Sequence, residues 1–455
     1  MNLRCFERIL RAGRVLPGLV STILAFMVLV SAVSASGATL FVATTGTNGA
    51  SCGTHPANAC LTIQYTISNR AVAGDEIRIA AGTYIELLTI AKDLTLVGSG
   101  TSSTIVQGMR MGTVVTNSAT TRIGLLTIEG GHGTAAVIED VAGGVNNSGT
   151  LLLEDTVVTE NTALVIFPSG AGTAGGIVNS GTLLLLHTLV DGNSASGGCI
   201  TAGGIANSIG GRVLTEESAI FDNASQGSSS AACGGPSSLF AAGGVINNQG
   251  IFAAETTTID ANSITNNGPF VLLRSTVSNT TIDDAQKLFV VNSTLYQTQL
   301  SIETLFPFFI GTADISSSTL FNTTMPSISD IPPPMPTLPI PATIRDSILA
   351  GNAAGDCSGD FLSGGYNIVE HGAGCGVLSP NNDLINVPAD LGFFGAHGGP
   401  TRTINLLPGS PALGGGNPAG CDDPFGELLT VDQRGDPRPI PGSGNGNCDV
   451  GSVQD

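Results

Sequence analysis

Residues 175–195 read GGIVNSGTLLLLHTLVDGNSA. The leucine run has the strength of a buried strand, yet paired glycines open it and Asp-Gly-Asn closes it. Working outward, the same opening recurs at Gly143-Gly144-Val145, Gly203-Gly204-Ile205 and Gly243-Gly244-Val245. Each copy leads into an apolar strand, and the closing segments end on Asn161, Asn193, Asn223 and Asn262. Shorter copies lack the glycine pair, and RDSILAGN ends on Asn352. One such unit cannot bury its apolar face alone, but a stack of them buries a continuous core. The expected class is therefore all-β, a parallel β-solenoid. The five Asn residues are assigned to coil corners, where Asn and Gly tolerate left-handed backbone.

Composition agrees. Only 11% of the residues are charged, Gly reaches 62 and Trp is absent. Coils stack roughly 4.8 Å apart, so a charge repeated at one position would meet its own kind. Ser, Thr and Asn can instead hydrogen-bond up the stack. A short helix is expected from Leu61 to about Ala71, because Ile63, Ile67 and Ala71 share one face. It would cover the open first coil, whose strand edges are otherwise exposed. MPSISDIPPPMPTLPIP, near 325–341, is a stiff loop leaving the solenoid, since proline donates no ladder hydrogen bond.

The first 37 residues read as a secretory signal: four arginines, an apolar core, then small residues. Its removal leaves 12 basic and 34 acidic residues, a net charge of −22. Such a surface excludes nucleic acid as a partner and repels polyuronates unless a cation mediates. No membrane-spanning segment is expected in the mature chain. Eight cysteines remain, at 52, 60, 199, 233, 357, 375, 421 and 448. An even count in an exported chain reads as disulfides, with 105 possible connectivities. Nearest-neighbour pairing is expected (Cys52–Cys60, Cys199–Cys233, Cys357–Cys375, Cys421–Cys448), each couple bracketing a loop. The resulting layout is a signal over 1–37, a solenoid over 38–354 and a stapled cap over 355–455.

GDEIRIAAGTY and LTLVGSG resemble the first coils of secreted bacterial right-handed parallel β-helix proteins of the pectin-lyase-like superfamily. SGGYNIV, GGPTRT, LLPGSPA, DQRG and CDVG resemble the C-terminal region of the choice-of-anchor Q family. The glycine-paired repeats are similar, more weakly, to chlamydial polymorphic outer-membrane proteins. The resemblance implies a right-handed β-helix, secreted or at the cell surface. It departs at Gly414, where that family usually carries an acid.

Chemistry is harder to place. A lyase needs a base beside charge-neutralising groups, and a glycosidase needs two carboxylates across a cleft. The nearest cluster is Arg274, Asp283, Asp284 and Lys287, equally readable as a solvated turn. Asp422-Asp423 offers a carboxylate pair in a loop. None of the five histidines has metal-ligand spacing, and no cofactor is expected beyond adventitious calcium. No residue is nominated as catalytic. The expected role is a structural or adhesion-type protein binding an extracellular glycan or surface protein through its solenoid face and loops. The alternative is a polysaccharide lyase or glycoside hydrolase on the same fold.

Overall fold

The computed structural model describes residues 37–455 except 136–139, 166–171, 198–199, 227–241, 262, 285, 303, 306–308, 324–341, 354, 358, 379–380 and 440–445. The signal before Gly37, Cys199, Cys233, Asn262 and the proline-rich loop lie outside the described residues. Two compact units emerge. Residues 37–252 with Ala261–Gly268 form the N-terminal unit; Ala253–Asp260 with Pro269–Asp455 form the C-terminal unit.

In the N-terminal unit the chain winds through parallel sheets. The first begins Thr39–Val42, Glu76–Ile79 and Leu94–Val97, and ends at Arg212–Glu216. The second runs from Gly82–Ile85 to Ala219–Phe221, and the third from Leu88–Ile90 to Ser263–Asn266. Register is strict: Leu151 pairs with Leu183 and Leu183 with Val213, all buried. Alternation along each strand sends one side chain in two inward, which fixes that register.

A fourth, four-stranded sheet was not legible: His132–Ala135, Thr162–Val165, Ser194–Ser196 and Ala224–Gln226. It explains the glycine pairs. They were expected to supply left-handed corners, but their role is close approach. A Cβ on Gly143 would lie 2.3 Å from the Thr162 carbonyl oxygen, and one on Gly175 2.4 Å from the Ser194 nitrogen. The backbone of the fourth sheet passes where a side chain would stand. The left-handed positions fall on Glu160, Gly192 and Asp222, one residue before Asn161, Asn193 and Asn223.

Those three Asn residues are buried and form a ladder. Asn161 Nδ2 donates to Asn193 Oδ1 (3.0 Å), and Asn193 Nδ2 to Asn223 Oδ1 (2.9 Å). A longer ladder links Asn117, Asn147, Asn179, Asn207, Asn248 and Asn266, at 2.8–2.9 Å per step. Its signal was the Asn shortly after each glycine pair.

The first coil carries the helix Ile63–Asn69, with Ile63 and Ile67 buried. Glu86 accepts from the Ile63 and Gln64 amides (2.9 and 2.8 Å), and Lys92 donates to the Ile67 and Ala71 carbonyls (2.9 Å each). Opposite charges thus sit at the two ends that favour them.

The C-terminal unit repeats the parallel plan. Its first sheet runs from Pro269–Leu273 to Cys375–Leu378, and its second from Thr258–Asp260 to Leu384–Ile385. The coils therefore continue past residue 354, where the solenoid was expected to end. Phe361, Ile368 and Val369 remain buried inside a segment whose loop-rich composition masks its strands. Cys357–Cys375 staples neighbouring coils there, and Cys421–Cys448 closes the tail. At the bend after the first sheet a hydroxyl ladder forms. The amides of Ser275, Ser293 and Ser318 donate to the hydroxyls of Ser293, Ser318 and Ser347 (3.0–3.2 Å).

The tail after Ile385 lies along the coils of this unit. Val450, Val453, Ala412 and Leu406 share a core with Ile348 and Ile368. Gln433, fully buried, donates to Ser275 O, Thr276 Oγ1 and Thr401 Oγ1 and accepts from Thr294 Oγ1. Ser452 bonds Thr294 and Thr319. Thr276, Thr294 and Thr319 pair in register on successive coils, so the tail touches one coil after another.

Candidate functional site

The N-terminal unit carries an open cavity of about 530 Å³ on the outer face of its first sheet, lined by Phe41, Pro56, Glu76, Arg78, Ser99 and Arg122 among others. Strand alternation builds it. In Glu76–Ile79, Ile77 and Ile79 are buried, so Glu76 and Arg78 face outward. Register then assembles the rest: Phe41 pairs with Arg78 and Arg78 with Val97, while Glu76 pairs with Thr95 and Thr95 with Arg122. The loop stapled by Cys52–Cys60 contributes the wall at Pro56 and Ala59. Gly98 belongs to the lining, and a Cβ there would lie 2.2 Å from the Leu125 carbonyl oxygen.

Each guanidinium is paired. Arg78 Nε lies 2.6 Å from Glu76 Oε1, and Arg122 Nε donates to Glu154 Oε2 at 2.7 Å. The Arg78 side chain is 62% exposed. Arg78 is exposed and Arg122 half-buried on one sheet face, and a guanidinium presents a fork of donors suited to carboxylates. Phe41 offers an apolar surface beside them. Both glutamates already accept guanidinium donors, so proton abstraction by either would first require breaking a pair.

The cluster weighed from sequence as a weak alternative is spread over two sheets. Arg274 lies 2.6 Å from Glu255, and Lys287 lies 3.2 Å from Asp314 and over the Phe289 ring. Asp283 and Asp284 sit on Thr281–Asp284 in another sheet, Asp284 fully buried. Asn352 holds its bend by donating to Thr323 O (3.0 Å). His187 lies at a left-handed corner between Asp155 (3.4 Å) and Glu217 (3.1 Å).

Sequence reasoning missed Glu76, Arg78, Arg122 and Glu154. Glu76 and Arg78 share one strand, while Arg122 and Glu154 stand on later coils that only register brings near. The available signal was alternation in EIRI, which sends two charges outward.

Buried polar groups concentrate in the tail instead. Burial raises the Asp346 carboxyl to about 7, against the hydrogen bond from the Asn417 amide. Arg438, wholly buried, is lowered to about 10 by desolvation. It donates to Asp449 O, Gly451 O and Asn292 Oδ1. Asp346 lies near the sulfurs of Cys421 and Cys448, but their disulfide leaves no thiolate to bind a metal.

The coils identify the architecture. It is a parallel β-helix solenoid. No protein-family model matches the chain, and no curated protein matches it. Solved structures with a similar course include the pectate lyase Pel9A (9% identity, 93% of this chain and 98% of that one, TM-score 0.41). The family PL6 alginate lyase AlyGC follows at 14% identity, 72% and 51% coverage, TM-score 0.30. Pectin methylesterase from carrot gives 13% identity, 78% and 90% coverage, TM-score 0.26. Such likeness concerns the path of the chain and carries no argument about chemistry. Among the described residues, no helix is long and apolar enough to cross a membrane.

Proposed function

We propose that this β-helix is an exported glycan-binding protein that holds an acidic polysaccharide in the cleft over Arg78 and Arg122. The observation that carries the reading is the cleft itself. A chain with net charge −19 places two of its few arginines on one outward sheet face, beside Phe41. Export rests on the signal-like segment 1–37, and surface retention on the resemblance of the tail to choice-of-anchor Q regions.

The test is calorimetric titration with polygalacturonate, alginate and a neutral glucan. Binding is expected for the uronans alone. Arg78→Ala with Arg122→Ala is expected to weaken it at least about 30-fold, the lower end of two charge-assisted hydrogen bonds at about 1–3 kcal/mol each. Equal affinity for the neutral glucan, or an unaffected double variant, overturns the reading. A second reading, cleavage of the bound uronan, is favoured by the Glu76 carboxylate in the cleft and by Glu154, which pairs with Arg122 of its lining. It requires the wild-type protein to shorten the polymer and Glu154→Gln to abolish that.

A further inference from the structure

The tail contains one turn built twice. In the first copy, Asp423 Oδ1 accepts from the amides of Phe425 and Glu427, and Gly426 N donates to Asp423 O at 3.0 Å. In the second, Asp432 Oδ1 accepts from the amides of Arg434 and Asp436, and Gly435 N donates to Asp432 O at 3.1 Å. Both glycines have positive φ, 82° and 95°.

The copies differ in two ways. Asp432 Oδ2 is met by Arg434 Nε and by the Gln454 amide, each at 2.9 Å. Asp423 Oδ2 is buried with no hydrogen-bond partner. Asp432 is followed by Gln433, but Asp423 is followed by Pro424. The bond after Asp423 is therefore a tertiary amide, whose nitrogen leaves as a basic secondary amine.

An aspartyl carboxyl can close a five-membered ring onto its own backbone carbonyl, so nucleophile and target already share one residue. Burial raises the Asp423 carboxyl above the ordinary carboxylate range. The charges of Asp422 and Glu427 push the same way, against the amides of Glu427 and Phe425. Arg345 reaches Asp422, at 3.6 Å. A carboxyl kept neutral carries the proton that the leaving nitrogen needs. Gly426 N already donates to the carbonyl oxygen on which charge develops during attack.

We propose that the Asp423–Pro424 bond is a self-cleavage site, opened by attack of the Asp423 side chain on its own carbonyl carbon. The carboxyl proton passes to Pro424 N. Oδ2 bonds to the carbonyl carbon and the C–N bond breaks, leaving a cyclic anhydride at Asp423 and a secondary amine at Pro424. The turn meets water at the exposed Gly426, and one water opens the anhydride to two carboxyls. Cys421–Cys448 spans the break, so the segment 424–455 stays attached until a reductant opens that disulfide. The chain has one other Asp-Pro bond, at 436–437. There the Asp436 side chain is 61% exposed and ion-paired with Arg434 at 3.4 Å. It has the proline without the buried bare oxygen, and so serves as an internal control. None of this depends on the glycan cleft.

The experiment incubates purified full-length protein with protease inhibitors, in mild acid and at neutral pH. Electrophoresis with reductant is expected to show a new fragment whose first residue is Pro424. Without reductant the chain is expected to stay whole and gain the mass of one water. Hydroxylamine should trap the anhydride as a hydroxamate on Asp423. Pro424→Ala, which keeps the carboxyl, and Asp423→Asn, nearly isosteric, should each slow cleavage at least about tenfold. If one variant fails to fold, the other decides. No Pro424 fragment from wild type, a break without the hydroxamate, equal cleavage at 436–437, or undiminished cleavage in the folded variants overturns the proposal.

Discussion

The two units solve the same bend differently. After its second sheet the N-terminal unit sets Asn161, Asn193 and Asn223; the C-terminal unit sets Thr280, Thr298 and Thr323. All six are buried. Asn193 alone donates to Val158 O, Asp191 O and Asn223 Oδ1, and accepts from both nitrogens of Asn161. Thr298 has one proton to share between Val277 O and Tyr296 O, at 3.4 and 3.3 Å. The path of the chain accounts for this. In the N-terminal unit the bend launches the strand of a fourth sheet, and ladder partners stand 30 or 32 residues apart. In the C-terminal unit Thr276–Ser278 passes directly to Thr281–Asp284, and successive ladder residues can be 18 apart. A long excursion needs a densely bonded corner; a short one does not. The C-terminal unit adds to its serine ladder the cross-coil bonding of its tail.

The largest expected effect attacks that tail. Gln433→Leu removes one buried partner from each of the hydroxyls of Thr276, Thr294 and Thr401 and from Ser275 O. The cost should be about 4 kcal/mol. Hydrogen exchange resolved along the chain should show it in the C-terminal unit, with the N-terminal unit unchanged. A loss spread evenly over both units would break the comparison. Next, Asn193→Ala removes the centre of the Asn ladder and should cost about 2–3 kcal/mol in the N-terminal unit, read from denaturant midpoints.

The third expectation concerns pH. The folded Asp346 carboxyl sits at about 7, above the ordinary value near 4. Between those values the folded state binds more protons than the unfolded one. Stability of the C-terminal unit should therefore fall as pH rises from about 4 to about 7, by on the order of a few kcal/mol from this group. Asp422 adds to the rise in its pKa, while Arg438 and Arg345 oppose it. Asp346→Asn should flatten the thermal-stability profile across that window. The smallest effect is Thr298→Val, at about 1 kcal/mol. A cost equal to that of Asn193→Ala would erase the distinction between the two corners.

Much of the fold was legible because it depends on local pattern. The leucine runs 151–153 and 183–185 were read as buried strands, and Ile63, Ile67 and Ala71 as the inner face of a helix; all are buried. The three described disulfides follow nearest-neighbour order. What escaped depends on distance. The glycine pairs looked like corner residues because nothing in their own neighbourhood announces a strand passing within 2.5 Å of an added Cβ. The tail's anchor, Gln433, finds Ser275 at a separation of 158 residues. The cleft is harder still, since Glu76, Arg78, Arg122 and Glu154 are ordinary singly, and their meeting follows from register summed over several coils.

The reach of Gln433 and Ser452 across Thr276, Thr294 and Thr319 has a consequence for how the protein is made. Synthesis delivers the coils first and the tail last. A stack that had skipped or doubled a turn would offer the arriving Gln433 mismatched hydroxyls and strand its amide in a dry interior. Docking of Gln433 and Ser452 therefore depends on the spacing of the coils made before them.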